Sequence, residues 1–136
     1  MSGFVVQLHG AMQYERLEEV VSFVGEDASG SFGLLCDHAR FVTTLTFGLA
    51  RLRYVDGRQE YLALPSGVAY FDNNQLDIST RRYLRGVDYT LISRVLREDF
   101  IEEERNLSEF KHSLGQMERA MMLRLWRMGR GEELQG

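Results

Sequence analysis

Three things are missing from this chain: a second cysteine, an excess of basic charge and a long uncharged run. With Cys36 alone, no internal disulfide is possible, which agrees with a reducing compartment. A formal net charge of -4 argues against a protein that coats nucleic acid. No uncharged stretch approaches the ~18 residues that a membrane span needs. The opening "MSGFVVQLHG" also lacks the basic start and apolar centre of a signal peptide. A cytoplasmic chain is expected. What is present is ordinary: 136 residues, 44% hydrophobic and 26% charged, enough for one domain or one domain with an appendage. Such a chain buries roughly two-thirds of its unfolded surface.

The hydrophobic period divides the chain into a strand-rich part, residues 1–86, and a helical part, residues 87–136. Phe4, Val6 and Leu8 alternate with Val5, Gln7 and His9, and Leu76, Ile78 and Thr80 alternate with Gln75, Asp77 and Ser79. "LTFGLARLRYV" and "RQEYLAL" flank Asp56-Gly57, a dipeptide suited to a tight hairpin turn. A second hairpin is predicted at Asp72-Asn73-Asn74. In "LTFGLARLRYV" the apolar parity shifts from Leu45, Phe47 and Leu49 to Ala50, Leu52 and Tyr54, which predicts a bulge near Gly48 in a bent strand serving two sheets. "YLALPSGVAYF" is apolar on both parities, as in a strand covered on both faces, and Pro65-Ser66-Gly67 splits it. A β-sandwich or flattened β-barrel is expected.

Beyond residue 86 the spacing becomes helical. Ile92, Val95, Leu96 and Phe100 define one helix over 88–105 with Asp88 as N-cap. Asn106 followed by Glu109 signals the start of a second, with Leu107, Phe110, Leu114, Met117, Met121, Leu125 and Met128 along one stripe and Gly129 and Gly131 as stops. A short connection folds the two into an antiparallel αα-hairpin. Residues 88–107 carry 3 basic and 6 acidic side chains, whereas 108–130 carry 5 and 2. Two readings follow: helix faces that attract each other, or a second helix whose Arg119, Arg124, Arg127 and Arg130 await an acidic partner. Met117, Met121, Met122 and Met128 fit either hairpin packing or an adaptable binding surface.

Little of this carries chemistry. Gly25 and Gly30 have the spacing of a phosphate-binding loop, but Ser31 and Phe32 stand where its Lys and Ser/Thr belong, and no helix follows. Cys36 and His38 share a face of an extended chain, yet nothing supplies a third and fourth metal ligand. As a nucleophile pair they lack a recognisable elbow or oxyanion pocket. "RRYLR", residues 81–85, is a short basic run in an acidic chain, better read as a solvated last strand than as a nucleic-acid patch.

The order "GEDASGSFGLL", His38-Ala39, "TTLTFGLARLRY" and "YLALPSGVAYFDNNQLDIS", followed by a helical pair, resembles the epsilon subunit of rotary F-type ATP synthases. The family often has Pro-Gly before that His-Ala, whereas this chain has Cys36-Asp37, losing both a fixed and a free φ. "HARF" and "ISTRRYLR" resemble the alternate, sodium-linked bacterial type. The resemblance implies a non-catalytic rotor part without a cofactor, at the cytoplasmic face of a bacterial inner membrane. There the sandwich would grip the gamma subunit and rest on the ring of c subunits, coupling ion flow to ATP synthesis. The loop from Ser31 to Arg40 would face the ring, with Asp37, His38 and Arg40 as contacts. The hairpin would reach the catalytic alpha/beta head transiently, hinder hydrolysis, and offer Arg119, Arg124, Arg127 and Arg130 to an acidic segment. Some members bind ATP on the hairpin through Ile/Leu-Asp-x-x-Arg-Ala. Val87-Asp88-Tyr89-Thr90-Leu91-Ile92 lacks the Arg-Ala, so no such binding is expected. Two other classes stay in view: an interaction module of this fold outside any ATPase, and a small hydrolase using Cys36 and His38.

Overall fold

The structure, a computed structural model, describes residues 2–102, 104–107, 116–117, 119 and 121–122. Nine strands occur among the described residues: β1 (Phe4–His9), β2 (Tyr14–Asp27), β3 (Gly30–Leu35), β4 (Phe41–Leu45), β5 (Gly48–Tyr54), β6 (Gln59–Leu64), β7 (Gly67–Asp72), β8 (Gln75–Thr80) and β9 (Leu84–Gly86). The alternation in the sequence is the alternation in burial: Phe4, Val6 and Leu8 point inward from β1, and Leu76 and Ile78 from β8. These two strands pair in parallel, Val6 opposite Leu76 and Leu8 opposite Ile78.

β2 is the strand shared by two layers. Its first half pairs with β1, and its second half lies between β3 and β5, with Phe23 opposite both Leu34 and Leu52. Through β2, which also pairs with β4, the strands form one continuous sheet in the order β1-β8-β7-β4-β2-β5-β6-β9 with β3 beside β2, folded into the layers β1-β8-β7-β4 and β3-β2-β5-β6-β9. The ladder slips between Val20 and Ser22, next to Glu19 at φ +59, as a bulge that re-aims the strand requires. The sandwich class is as the sequence implies, but the bend is not where parity placed it. Near Gly48 there is no bulged strand: β4 ends at Leu45 and β5 begins at Gly48 in the other layer. Parity shifted there because the chain crosses from one layer to the other.

Both predicted hairpins form, by different turns. Asn73 and Asn74 have φ +51 and +59, the two left-handed central residues of a type I′ turn. At Asp56-Gly57 only Gly57 is left-handed, at φ +90, and its N–H donates to the Tyr54 carbonyl at 2.9 Å. That is a three-residue loop with a glycine bulge, not a two-residue turn.

"YLALPSGVAYF" does split at residues 65–66, and its two apolar parities meet two cores. Leu62 and Leu64 join the sandwich interior, while Ala63 faces Ile92 and Phe100. Helix α1 (Tyr89–Val95) begins at Asp88, whose carboxylate accepts from the Leu91 N–H at 3.2 Å. It continues as a π-helical segment, Leu96–Phe100, where a plain α-helix was expected. At 3.6 residues per turn the eight steps from Ile92 to Phe100 overshoot by about 80°. The wider i→i+5 turn keeps both on the face toward Ala63.

The first compact unit consequently runs to Ile101 and the second starts at Glu102, beyond the change of period at residue 86. Residues 104–107 are helical, so Asn106, expected to cap the start of a second helix, is itself a helical residue. Residues 116–117, 119 and 121–122 are helical too. The connection between the two expected helices, with Glu109, Phe110, Leu114, Leu125, Met128, Gly129 and Gly131, lies outside the described residues.

Candidate functional site

The glycines that mimic a phosphate loop are explained by the strands. Gly25 lies inside β2, where an added Cβ would sit 2.8 Å from the Phe23 ring. Gly30, at φ +119, closes the turn into β3. Asp27 caps that turn by accepting from the Ser29 N–H at 2.9 Å and from the Thr43 hydroxyl at 2.7 Å. The Ser29 hydroxyl, which donates to Asp27 Oδ1 at 2.5 Å, and then the Thr43 hydroxyl hold its carboxyl below the ordinary value.

Cys36, Asp37, His38 and Arg40 lie together in the loop that carries the chain from β3 to β4. The loop is tied down at three points. The His38 N–H donates to the Leu35 carbonyl at 3.2 Å. Asp37, left-handed at φ +67, donates its N–H to Asn74 Oδ1 at 2.6 Å and accepts from Asn74 Nδ2 at 2.9 Å. The His38 ring stands edge-on to Phe41 at 5.8 Å and to Phe71 at 5.9 Å, and its Nδ1 donates to the Ala39 carbonyl at 2.7 Å. Phe71 is fully buried, so an exposed loop is anchored in the sandwich core. Arg40 Nε lies 3.9 Å from Asp72 Oδ2. No hydrogen bond joins Cys36 to His38, and neither lines either of two open surface hollows, of about 380 Å³ and 240 Å³, among the described residues. Those hollows are bordered by Glu18, Tyr54 and Arg58, and by Leu49, Tyr61 and Tyr89. Among the described residues no three His, Cys, Asp or Glu side chains gather as metal ligands would.

The Arg81–Arg85 run leads into the last strand, as expected, but it is solvated only in part: Arg81 and Arg82 are exposed, while Leu84 and Arg85 are half-buried. Tyr83 is buried, and the Arg82 guanidinium lies 4.8 Å from the Phe100 ring centroid. Arg85 donates to Glu60 Oε2 and to Glu15 Oε2, each at 2.6 Å, while the Tyr83 hydroxyl donates to Glu15 Oε1 at 2.9 Å. The Arg85 hydrogen bond holds Glu15 below the ordinary carboxylate value. Burial opposes the charge of Arg85, but the Glu15 hydrogen bond and the fields of both carboxylates outweigh it and raise its pKa. Burial, with the Glu15 contact behind it, pushes Tyr83 up to about 12. Burial, then the adjacent Glu60 carboxylate, raises Tyr54 as well. Tyr54 Oη and Glu60 Oε1 are both buried without a partner in hydrogen-bond geometry, so Arg85 is the ion pair on which Glu60 depends. Sequence reasoning missed this cluster, although a signal was there: Glu60 has the parity of Leu62 and Leu64, a charge at a core position.

Of the second group of arginines, Arg119 is helical and exposed; Arg124, Arg127 and Arg130 lie outside the described residues. Met117, Met121 and Met122 are exposed beside Arg119. No helix among the described residues is long and apolar enough to cross a membrane.

A family model described as the β-sandwich domain of the ATP synthase delta/epsilon chain matches residues 12–86. The chain belongs to that family. Its relatives include the chloroplastic ATP synthase epsilon chains of Huperzia lucidula, 37% identical over 44% of this chain and 43% of that one, and of Chaetosphaeridium globosum, 44% identical over 37% and 36%. The matched segment thus spans less than half the length of these relatives. In fold, this delta/epsilon-family chain is similar to part of the mitochondrial ATP synthase of Euglena gracilis. The TM-score is 0.59 and the identity 20%, over 72% of this chain and 64% of that one. It is also similar to part of the central stalk and c-ring assembly of Tetrahymena thermophila, at 0.51 and 12% over 62% and 69%. The family match takes in β3, the Asp37 loop, the Asn73-Asn74 hairpin and the Arg85 cluster.

Proposed function

We propose that this chain is an epsilon-type, non-catalytic rotor subunit in the central stalk of an F-type ATP synthase, linking ion movement through the c-ring to ATP synthesis and hydrolysis. The observation that carries the reading is the family match over 12–86, the stretch that folds as the sandwich. The sandwich binds gamma, and the loop bearing Asp37, His38 and Arg40 meets the c-ring. A loop fixed at three points supports this, because a torque-bearing contact needs a surface that does not yield. The hydrolase reading loses ground, since Cys36 and His38 are not paired and His38 is committed to an aromatic seat. Membrane association is through the complex.

In this reading residues 87–136 form the helical hairpin, which touches the catalytic alpha/beta head transiently and restrains hydrolysis through Arg119, Arg124, Arg127 and Arg130. The exposed Arg119 and its methionine neighbours support that role. A bacterial inner-membrane setting rests on the wording "HARF" and "ISTRRYLR" alone; the relatives named above are chloroplastic and mitochondrial.

The test is co-expression with a gamma subunit. A stable complex that survives gel filtration is expected, and failure of gamma to co-purify would overturn the rotor assignment in favour of a stand-alone interaction module.

A further inference from the structure

We propose that Asn74 is a positioning residue for the Asp37–Arg40 loop, and that the β7–β8 hairpin and this loop act as one rigid contact surface. The proposal rests on the reading that the loop meets the c-ring.

Asp37 is far from Asn74 in sequence, yet both hydrogen-bonding groups of the Asn74 amide are spent on it. The amide orientation is fixed by its partners: the Asp37 N–H requires an oxygen, and the Asp37 carboxylate requires a donor. Asp37 is left-handed at φ +67, where a residue with a Cβ is strained, though Asp tolerates it better than most. Both bonds depend on that conformation, so together they select it. Asn74 is itself immobilised. It is the second central residue of the type I′ turn at φ +59, and its carbonyl accepts from the Val5 N–H of β1 at 3.2 Å. The same hairpin supplies Asp72 to Arg40, so both ends of the exposed segment are referred to one turn. Between them His38 is seated on Phe41 and Phe71. Side chains at 37, 38 and 40 therefore keep a fixed spacing to the β7–β8 turn.

Asn74→Gly separates positioning from folding, because glycine accepts φ +59 and keeps the turn while deleting both side-chain bonds. In the full chain, the Asp37 amide should exchange with solvent roughly tenfold faster, the shift expected for one lost hydrogen bond. The unfolding midpoint should barely move. In the assembled ATPase reconstituted into liposomes, ions moved per ATP hydrolysed should fall. Asp37→Asn, which keeps a side-chain oxygen to accept from Asn74, should leave exchange and coupling close to wild type and so exclude a pure charge effect. Unchanged exchange at Asp37 in Asn74→Gly would overturn the positioning role and leave the ring assignment standing. Faster exchange with unchanged coupling would instead overturn the ring assignment of this loop. Lost coupling in Asp37→Asn would overturn the proposal in favour of a direct role for the carboxylate charge.

Discussion

The Arg85 cluster and the Asp37 loop use the same device, a carboxylate joined to a long-range partner, at opposite extremes of exposure. Glu60 is 5% exposed and Arg85 ties together β2, β6 and β9, whereas Asp37 and Asn74 meet in a surface loop. Burial decides what each contact is for. An ion pair inside the fold is costly to break because the survivor is a charge without water. A pair in solvent adds little to stability, so its retained value is geometric: it chooses one loop conformation among many.

The largest effect should come from breaking the buried pair. Arg85→Met leaves the Glu60 carboxylate buried and unpaired, and should cost about 3–5 kcal/mol in urea unfolding. Arg85→Met with Glu60→Leu should recover most of that loss, since two apolar side chains need no partner. A double variant as unstable as the single would mean that Glu60 is not the group left uncompensated, and the contrast with the loop would weaken.

The same cluster should set the pH limits of stability. Glu15 has a depressed pKa, so its contribution is complete above its ordinary value of 4.5 and disappears as pH falls through the lower folded value. Tyr83 is raised from 10.0 to about 12, so its contribution is complete below 10 and disappears as pH climbs toward 12. Unfolding midpoints across pH should show a plateau with both shoulders. In Arg85→Met the acid shoulder should flatten, because the hydrogen bond that depresses Glu15 is gone. An acid shoulder of the same steepness in that variant would assign it to another carboxylate.

A smaller effect tests the junction of sandwich and helix. Asp88→Ala removes the carboxylate that accepts from the Leu91 N–H, and should cost about 1 kcal/mol by chemical denaturation. Because Ile92 and Phe100 share a core with Ala63, α1 should unfold together with the strands. Separate transitions for helix and sheet would contradict that coupling.

What was legible in the sequence follows the range of the interactions. Alternation at Phe4–Leu8 and Leu76–Ile78, the Asp88 cap and the Asn73-Asn74 turn are all local, and local rules found them. The double apolar parity of "YLAL" correctly implied two covered faces, although only the structure shows the second cover to be Ile92 and Phe100. The misplaced bulge near Gly48 came from reading a change of layer as a change within a strand. The π-helical turn was invisible because it answers to a target across the fold, the patch around Ala63. The Asp37 loop was found by resemblance, but its lock was not, since nothing near Asp37 names Asn74 as its partner.

The smallest effect expected is at Asp37 itself. Asp37→Gly relieves a left-handed residue of its Cβ, which favours the folded loop, but it frees the unfolded chain and deletes the bond from Asn74 Nδ2. These terms have opposite signs and similar size, so the unfolding free energy should change by less than about 0.5 kcal/mol, as at most exposed positions. The backbone bond from residue 37 to Asn74 Oδ1 survives the substitution, so amide exchange at position 37 should stay nearer to wild type than in Asn74→Gly. Cys36-Asp37 in place of Pro-Gly then need not reshape the surface: Asp37 holds the backbone a glycine would adopt, and Asn74 supplies the restraint. A destabilisation by Asp37→Gly as large as that by Arg85→Met would make the loop part of the structural core and erase the difference between the two regions.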